Sequence, residues 1–388
     1  MVNPKWWDYN YTVLLITWTG WISIYLARSV LPPLLPILTK DLGLSYTQSG
    51  LLETAYLIGY IIIKIPAGFM ANKYGSKKVL VTSMIGYGLA NSLIFATNSF
   101  FEIFLLRLLV GLFQGVHLPV ANALLSDRFK GRQGRAIGFN ESGPNIGNTV
   151  AYPLAISILS KYSWRYAFIF LSFPAFLLAL AAFFFMKPEN TILIPIQTDK
   201  SEGNITQYLR TLLPFALSHG TYNLILRISF TFTPIFLVDF RNISIESAGL
   251  ISTLLPLAGI FAKISSGFIL ERLGKRLSIC GAIILSSLFL STLVLFPINE
   301  LLLINLIFLG LTLYSFSPII YSSTTTSLPS RFKSLGLGIV TMFGNIVGAF
   351  STSIIGKIID LKGFGYSFLA LSVLAFLSAF LIYFLLND

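Results

Sequence analysis

Apolar runs of about twenty residues or more, the length a helix needs to cross a bilayer core, follow one another along almost the whole 388-residue chain. Twelve stretches meet that measure, at 11–38, 47–69, 78–97, 100–125, 135–160, 164–186, 208–238, 246–270, 277–297, 300–326, 334–358 and 364–385. In lipid, every backbone N–H and C=O must be satisfied internally, which leaves helices and closed barrels. Barrel strands alternate apolar and polar residues, and these runs do not. With 11% charged residues, against about 25% in soluble domains, the chain is expected to be an all-α membrane protein of twelve transmembrane helices. The first run, beginning at Tyr11, is too long for a signal-peptide core and lacks a small-residue cleavage pattern, so it counts as the first span. Cys280 is the single cysteine, which excludes a disulfide framework.

A net charge of +12 raises the question of nucleic acid, and its distribution answers it. With the N-terminus inside, sixteen Lys and Arg fall on inner loops and six on outer ones. That is the positive-inside bias. It places both termini in the cytoplasm and removes any need for a nucleic-acid partner; the protein is expected in the plasma (inner) membrane.

The chain repeats itself. A shift of 199 residues carries Arg28 onto Arg227, Gly50 onto Gly249, Lys64 onto Lys263 and Gly68 onto Gly267. The same shift carries Gly75 onto Gly274, Gly111 onto Gly310 and Pro119 onto Pro318, while a shift of 200 carries Asn145-Ile146 onto Asn345-Ile346. The polar stretch 187–207 between the halves reads as a cytoplasmic linker. The expected organisation is therefore a six-helix bundle over 1–186, the linker over 187–207, and a second bundle over 208–388.

Specific motifs accompany the repeat. GFMANKYGSKK (Gly68 to Lys78) and GFILERLGKR (Gly267 to Arg276) resemble the G-x-x-x-D-R-x-G-R-K loop motif of the major facilitator superfamily. The first copy departs at Asn72 and Ser76, and Glu271 replaces Asp in the second. RLLVGLFQG (Arg107 to Gly115) is similar to that superfamily's R-x-x-x-G-x-x-x-G on the fourth span. The resemblance covers both halves. It implies a transporter with its substrate near the midplane between two halves that rock alternately. It also gives Gly68, Asn72, Lys73, Gly75, Gly267, Glu271, Arg272 and Gly274 a role in that conformational change.

The deep charges narrow the function. A cation at the bilayer centre costs about 2.5–3.5 kcal/mol on insertion scales and is functional by default. Arg28 and Arg227 lie about two-thirds along their spans, too deep to snorkel, whereas Lys64 and Lys263 lie about a turn from the inner loop, within snorkelling reach. The pseudo-two-fold is expected to bring Arg28 and Arg227 to facing positions, where an anion between them offsets their repulsion. An arginine fork suits carboxylate or phosphate oxygens. Trp21 and Tyr25 share the Arg28 stripe, and Asn223 shares that of Arg227. Asn145 and Asn345 complete the expected substrate-binding set. Glu53, Arg107 and Glu141 form the expected proton-coupling or charge network. Arg107 has Leu306 as its repeat equivalent, so its role belongs to one half.

YLARSVLPPLLP (Tyr25 to Pro36) resembles the first-span signature of the organophosphate:phosphate antiporters. That branch also has an arginine on the seventh span and a lysine matching Lys64. The related anion:cation symporters, which carry organic carboxylates, likewise use arginines on the first and seventh spans. The resemblance implies that Arg28 and Arg227 bind a phosphate or carboxylate. Pro144 stands where the antiporters have a histidine, which leaves carboxylates open. GPNIGN (Gly143 to Asn148) partly resembles a motif of proton-coupled drug antiporters, so a drug exporter of the same fold is the alternative. Arg28, Arg107 and Arg227 outweigh Glu53 and Glu141, and that balance favours anions. His117 and His219 read as packed or hydrogen-bonded rather than as proton relays. One Cys and two separated His form no metal cluster, and no phosphate-cradling loop or nucleophile elbow is present. The expectation is thus a monomeric carrier of a small organic anion, by proton symport or anion exchange, with no cofactor, no metal and no enzymatic activity.

Overall fold

The computed structural model describes residues 8–188, 205–296, 300–329 and 332–386. Most of the expected linker, 187–207, lies outside them. In chain order the helices are α1 (Tyr9–Ser29), α2 (Leu31–Leu42), α3 (Tyr46–Tyr74), α4 (Ser76–Leu93), α5 (Phe100–Gly115), α6 (His117–Arg128), α7 (Gln133–Asn140), α8 (Gly143–Leu159) and α9 (Trp164–Phe185). After 188 come α10 (Leu209–Ile235), α11 (Ile245–Ser252), α12 (Leu254–Leu295), α13 (Glu300–Thr326) and α14 (Lys333–Leu385). Among the described residues nine helical stretches are long and apolar enough to cross a bilayer. Two of these, Ile245–Leu295 and Leu335–Leu385, have 51 residues each, or about 75 Å at 1.5 Å per residue, more than twice a hydrocarbon core. Gly274 (φ 72°) and Gly363 (φ 78°) break them where the chain takes a left-handed conformation. Each is therefore two crossings. The remaining expected span, 135–160, is the broken pair α7 and α8.

The breaks follow from proline. Pro32 and Pro33 remove the N–H groups that Arg28 O and Ser29 O would accept, and the first span divides at Val30 into α1 and α2. Pro119 does the same to Gly115 O, and α5 gives way to α6 at Val116. Pro144 deprives Asn140 O, and α7 ends before α8 begins. Beyond Pro234, α10 widens into a π-turn at Phe236–Phe240.

The chain packs as two compact units. One comprises the described residues up to Leu31 and from Ala55 to 188, and the other comprises Pro32–Thr54 and the described residues from 205 onward. In the first, α1 packs on α8 and α9, and α4 on α5 and α9; in the second, α12 packs on α13 and α14, and α10 on α14. The segment Pro32–Thr54 belongs by contact to the second unit although it precedes the expected linker by more than a hundred residues.

The start of α3 explains that attachment. Four orphan N–H groups open any helix. Here Ser45 Oγ accepts from Gln48 N at 3.1 Å and Gln48 Oε1 accepts from Ser45 N at 3.0 Å, a reciprocal capping box. Tyr46 N and Thr47 N donate to the Asp360 carboxylate, both at 2.9 Å, and Thr47 Oγ1 donates to it at 2.5 Å. A carboxylate more than three hundred residues away thus caps the helix and meets the positive end of its dipole. Tyr46 Oη donates to Asp239 at 3.0 Å, and Lys40 lies 3.8 Å from the same carboxylate. The backbones touch beneath this cap: a Cβ on Gly50 would lie 2.2 Å from Thr352 O, and one on Gly356 would lie 2.3 Å from Tyr46 O.

Two measurements test this construction by thermal unfolding of the purified protein. Gly50→Ala is expected to destabilise, because the methyl meets backbone, whereas Gly281→Ala, with nothing within 4 Å of its Cβ, is expected to stabilise by about 0.4–1 kcal/mol. Equal effects would refute the close approach. Asp360→Ala is expected to cost about 1 kcal/mol, as loss of a helix cap does, with Asp360→Asn costing less because an acceptor oxygen remains.

Candidate functional site

In the first unit the site grows from the meeting of α3 and α5. A Cβ on Gly111 would lie 2.0 Å from Tyr56 O, and one on Gly115 would lie 2.5 Å from Tyr60 O. The glycines of the R-x-x-x-G-x-x-x-G motif therefore exist so that the two backbones can touch. One turn before Gly111, that approach places Arg107, fully buried, with its guanidinium carbon 4.8 Å from the Tyr56 ring centroid.

Arg28 reaches the same ring. Its guanidinium carbon lies 4.4 Å from the Tyr56 centroid and 5.5 Å from that of Tyr25. Desolvated cation–π contacts are worth about 2 kcal/mol each, so two of them approach the insertion cost of about 2.5–3.5 kcal/mol for an arginine. The chain itself thus meets much of the cost that sequence reasoning assigned to a ligand. These contacts use the face of the guanidinium, not the in-plane N–H fork that recognises a carboxylate. Tyr60 stacks on Tyr56 with centroids 5.9 Å apart and lies within electrostatic reach of Tyr25, Arg28 and Glu141. Lys64 Nζ sits 4.7 Å from the Tyr60 centroid, so this lysine rests on a ring.

Helix α8 closes the other side of α1. Cβ atoms on Gly143 and Gly147 would meet Trp18 O at 2.7 Å and Ile22 O at 2.5 Å, next to the Cβ atoms of Trp21 and Tyr25. GPNIG is a close-packing surface for α1, the role small residues spaced by four take between membrane helices. Asn148 Oδ1 accepts from Ser29 Oγ at 2.5 Å, and Asn145 is half-buried on the same helix. Glu141 occupies the break between α7 and α8. His117 is packed, as expected: its Nε2 lies 2.9 Å from Thr17 O and its ring 4.9 Å from that of Trp21.

In the second unit Arg227 has a carboxylate. Its Nη1 lies 3.6 Å from Glu53 Oε1, and Glu53 is 2% exposed. Sequence reasoning set Glu53 beside Arg107 or left it to a proton; the structure brings it to Arg227. Gly344 and Gly348 of α14 seat α10, the first against the His219 ring and the second against Asn223 and Arg227 side-chain carbons. Asn345 lies between them, half-buried. Asn223 Nδ2 donates to His219 O at 3.1 Å and lies 3.2 Å from His219 Nδ1. With its amide nitrogen so engaged, Asn223 keeps its side-chain oxygen as an acceptor, a group that accepts from a hydroxyl and repels a carboxylate.

Trp21, expected on the Arg28 stripe, buries its Nε1 with no hydrogen bond among the described residues, and so does Thr231 its Oγ1. Gln114 Oε1 and both side-chain polar atoms of Asn140, which the sequence did not single out, are in the same position. Thr231 lies one turn beyond Arg227. Tyr56 and Tyr60 were also missed, and their spacing of four on the face opposite the motif glycines was the available signal. The loop-motif residues lie elsewhere. Gly75 (φ 87°) and Gly274 (φ 72°) make the turns, Lys73 lies 5.3 Å from the Tyr74 ring centroid, and Lys73, Gly267, Glu271 and Arg272 are exposed while Gly68 and Asn72 are half-buried. Among the described residues no cluster of His, Cys, Asp and Glu suits a metal.

Comparison with known proteins agrees with this architecture. The chain is similar to a bacterial homologue of the human lysosomal transporter Spinster, with a TM-score of 0.84 at 16% identity over 97% of this chain and 96% of that one. It is 29% identical to a hexuronate transporter of Bacillus subtilis (strain 168) over 68% of this chain, an alignment spanning 65% of that protein's length. It is 23% identical to a probable galactarate/D-glucarate transporter of Escherichia coli (strain K12) over 90% of this chain and 88% of that protein. Residues 17–244 and 215–388 match the Major Facilitator Superfamily. An all-helical integral membrane protein with the repeat, the loop motifs and this fold, the chain belongs to that superfamily.

Proposed function

We propose that the chain is a secondary transporter, not an enzyme, which moves a small hydroxyl-rich organic acid across the plasma (inner) membrane by alternating access, as a monomer with both termini cytoplasmic. One observation carries the reading. Two repeat-related arginines at membrane depth, Arg28 and Arg227, are accompanied by buried polar atoms with no hydrogen-bond partner among the described residues, Trp21 Nε1 and Thr231 Oγ1. Buried polar groups of this kind cost free energy until something hydrogen-bonds them. Guanidinium forks suit a carboxylate, and the hydroxyl, the indole N–H and the Asn223 carbonyl suit the hydroxyl groups of a sugar acid. The names of two relatives, a hexuronate transporter and a probable galactarate/D-glucarate transporter, support that substrate class.

The drug-exporter alternative loses its main support, because GPNIG is accounted for by packing against α1. Glu53 supplies the coupling logic. Substrate carboxylate and Glu53 compete for Arg227, so the ion pair opens either when Glu53 takes a proton, which is symport, or when one anion replaces another, which is exchange.

Uptake of D-glucuronate and D-glucarate into proteoliposomes tests the proposal. Arg28→Lys and Arg227→Lys keep the charge and lose the fork. Each is expected to weaken apparent affinity by about 10–100-fold, the range of a charge-assisted hydrogen bond worth about 1.5–3 kcal/mol. Wild-type affinity in both variants, or stabilisation by lipophilic cations alone, would overturn the anion site. Glu53→Gln separates the coupling modes. If symport operates, uptake driven by a pH gradient is lost while counterflow of labelled against unlabelled substrate persists; if exchange operates, wild-type uptake ignores the pH gradient and the variant exchanges at least as fast.

A further inference from the structure

Away from the arginines, a cavity of about 640 Å³ opens at the break between the two crossings of α12. Its apolar wall is Leu270 and Leu273 before the break at Gly274, with Leu277 after it. Its polar wall holds Lys275 and Arg276, with Ser322 and Thr326 of α13. The ring of Tyr383 forms the floor, 3.7 Å from the Arg276 guanidinium carbon. Arg276 Nε donates to Tyr383 O at 2.7 Å and Lys275 Nζ donates to Ser327 Oγ at 3.1 Å, which fixes both side chains. Neither cation has a carboxylate within 4 Å among the described residues.

The repeat supplies an internal comparison. Lys77 and Phe183 are the equivalents of Arg276 and Tyr383, and they too pair, with Lys77 Nζ 5.3 Å from the ring centroid. A cation on an aromatic ring at this helix end is therefore common to both halves and is explained as a staple. The second cation stands at a basic position of the loop motif, and the staple does not use it. Where the second half has Lys275, the first has Ser76. Two fixed cations with no acid beside them among the described residues, next to hydroxyls and three leucines, exceed what a staple requires.

We propose that this cavity binds an anionic glycerophospholipid, with its phosphate held by Lys275 and Arg276 and an acyl chain along Leu270, Leu273 and Leu277. A soluble anion would use the cations and gain nothing from the leucines, which are apolar wall continuous with the lipid-facing surface. A zwitterionic lipid would bring its own cation to a site that already has two. Basic pockets between membrane helices recognise acidic headgroups on this principle, and each basic residue near the surface contributes a factor of about five.

The test is thermal stabilisation of the detergent-solubilised full chain by dioleoyl phosphatidylglycerol, dioleoyl phosphatidylcholine and inorganic phosphate, added separately. Phosphatidylglycerol is expected to bind about 30-fold more tightly than phosphatidylcholine. That preference is expected to vanish in Lys275→Gln/Arg276→Gln and to survive in Lys77→Gln. Equal stabilisation by the two lipids, or a preference unchanged in the double variant, would overturn the site. Stabilisation by inorganic phosphate to the same extent would overturn the lipid assignment and leave an anion site. Should the double variant fail to fold, Ser322→Phe fills the cavity while retaining both charges; the preference is then expected to be lost, and its persistence overturns the proposal.

Discussion

The constraint on which the rest of this structure depends is that lipid offers no hydrogen bonds to a broken backbone. A helix in water can lose a donor to proline and recruit solvent. A membrane helix must recruit protein, so its breaks occur where other groups gather. Here Arg28 lies at the break made by Pro32 and Pro33, Glu141 at the one made by Pro144, and His117 at the one made by Pro119. Arg227 lies two turns before Pro234 and the π-turn that follows it. Several ionisable groups thus sit at interruptions of the helices, whereas Glu53 and Arg107 lie inside α3 and α5, so the site draws on irregular and regular backbone together.

Much of this was legible in the sequence because it depends on position along one helix. Span length, the 199-residue repeat and the depth of each charge are all one-dimensional properties. So are the prolines, although the sequence alone does not say whether Pro144 kinks a helix or ends it. The loop-motif glycines were legible for a related reason, since positive φ at Gly75 and Gly274 is a property of one residue and its neighbours.

What the sequence did not disclose is who meets whom across helices. Tyr56 and Tyr60 stand among apolar residues where an aromatic facing lipid would look the same, and only the backbone contact at Gly111 and Gly115 aims their rings at Arg28, Arg107 and Lys64. Glu53 and Arg227 are separated by 174 positions, and no periodicity links them. Asp360 is the clearest case. As an exposed acid beside a loop it reads as surface, yet it satisfies two backbone donors of a helix from the other half of the sequence.

The repeat also shows what symmetry leaves unshared. Arg28 and Arg227 are equivalent, but Tyr25 and Tyr56 become Leu224 and Leu255 in the second half, and Glu53 becomes Ser252. One arginine therefore rests on rings and the other on a carboxylate. The rings beside Arg28 carry no charge in the working pH range and stabilise the guanidinium through its face. The carboxylate beside Arg227 is itself an anion, and on the proposed reading a substrate carboxylate competes with Glu53 for that arginine. The repeat thus supplies two equivalent arginines, and the residues that it does not share decide what each one meets; on the proposed reading, exchange between Glu53 and a cargo carboxylate at Arg227 is the step that this difference serves.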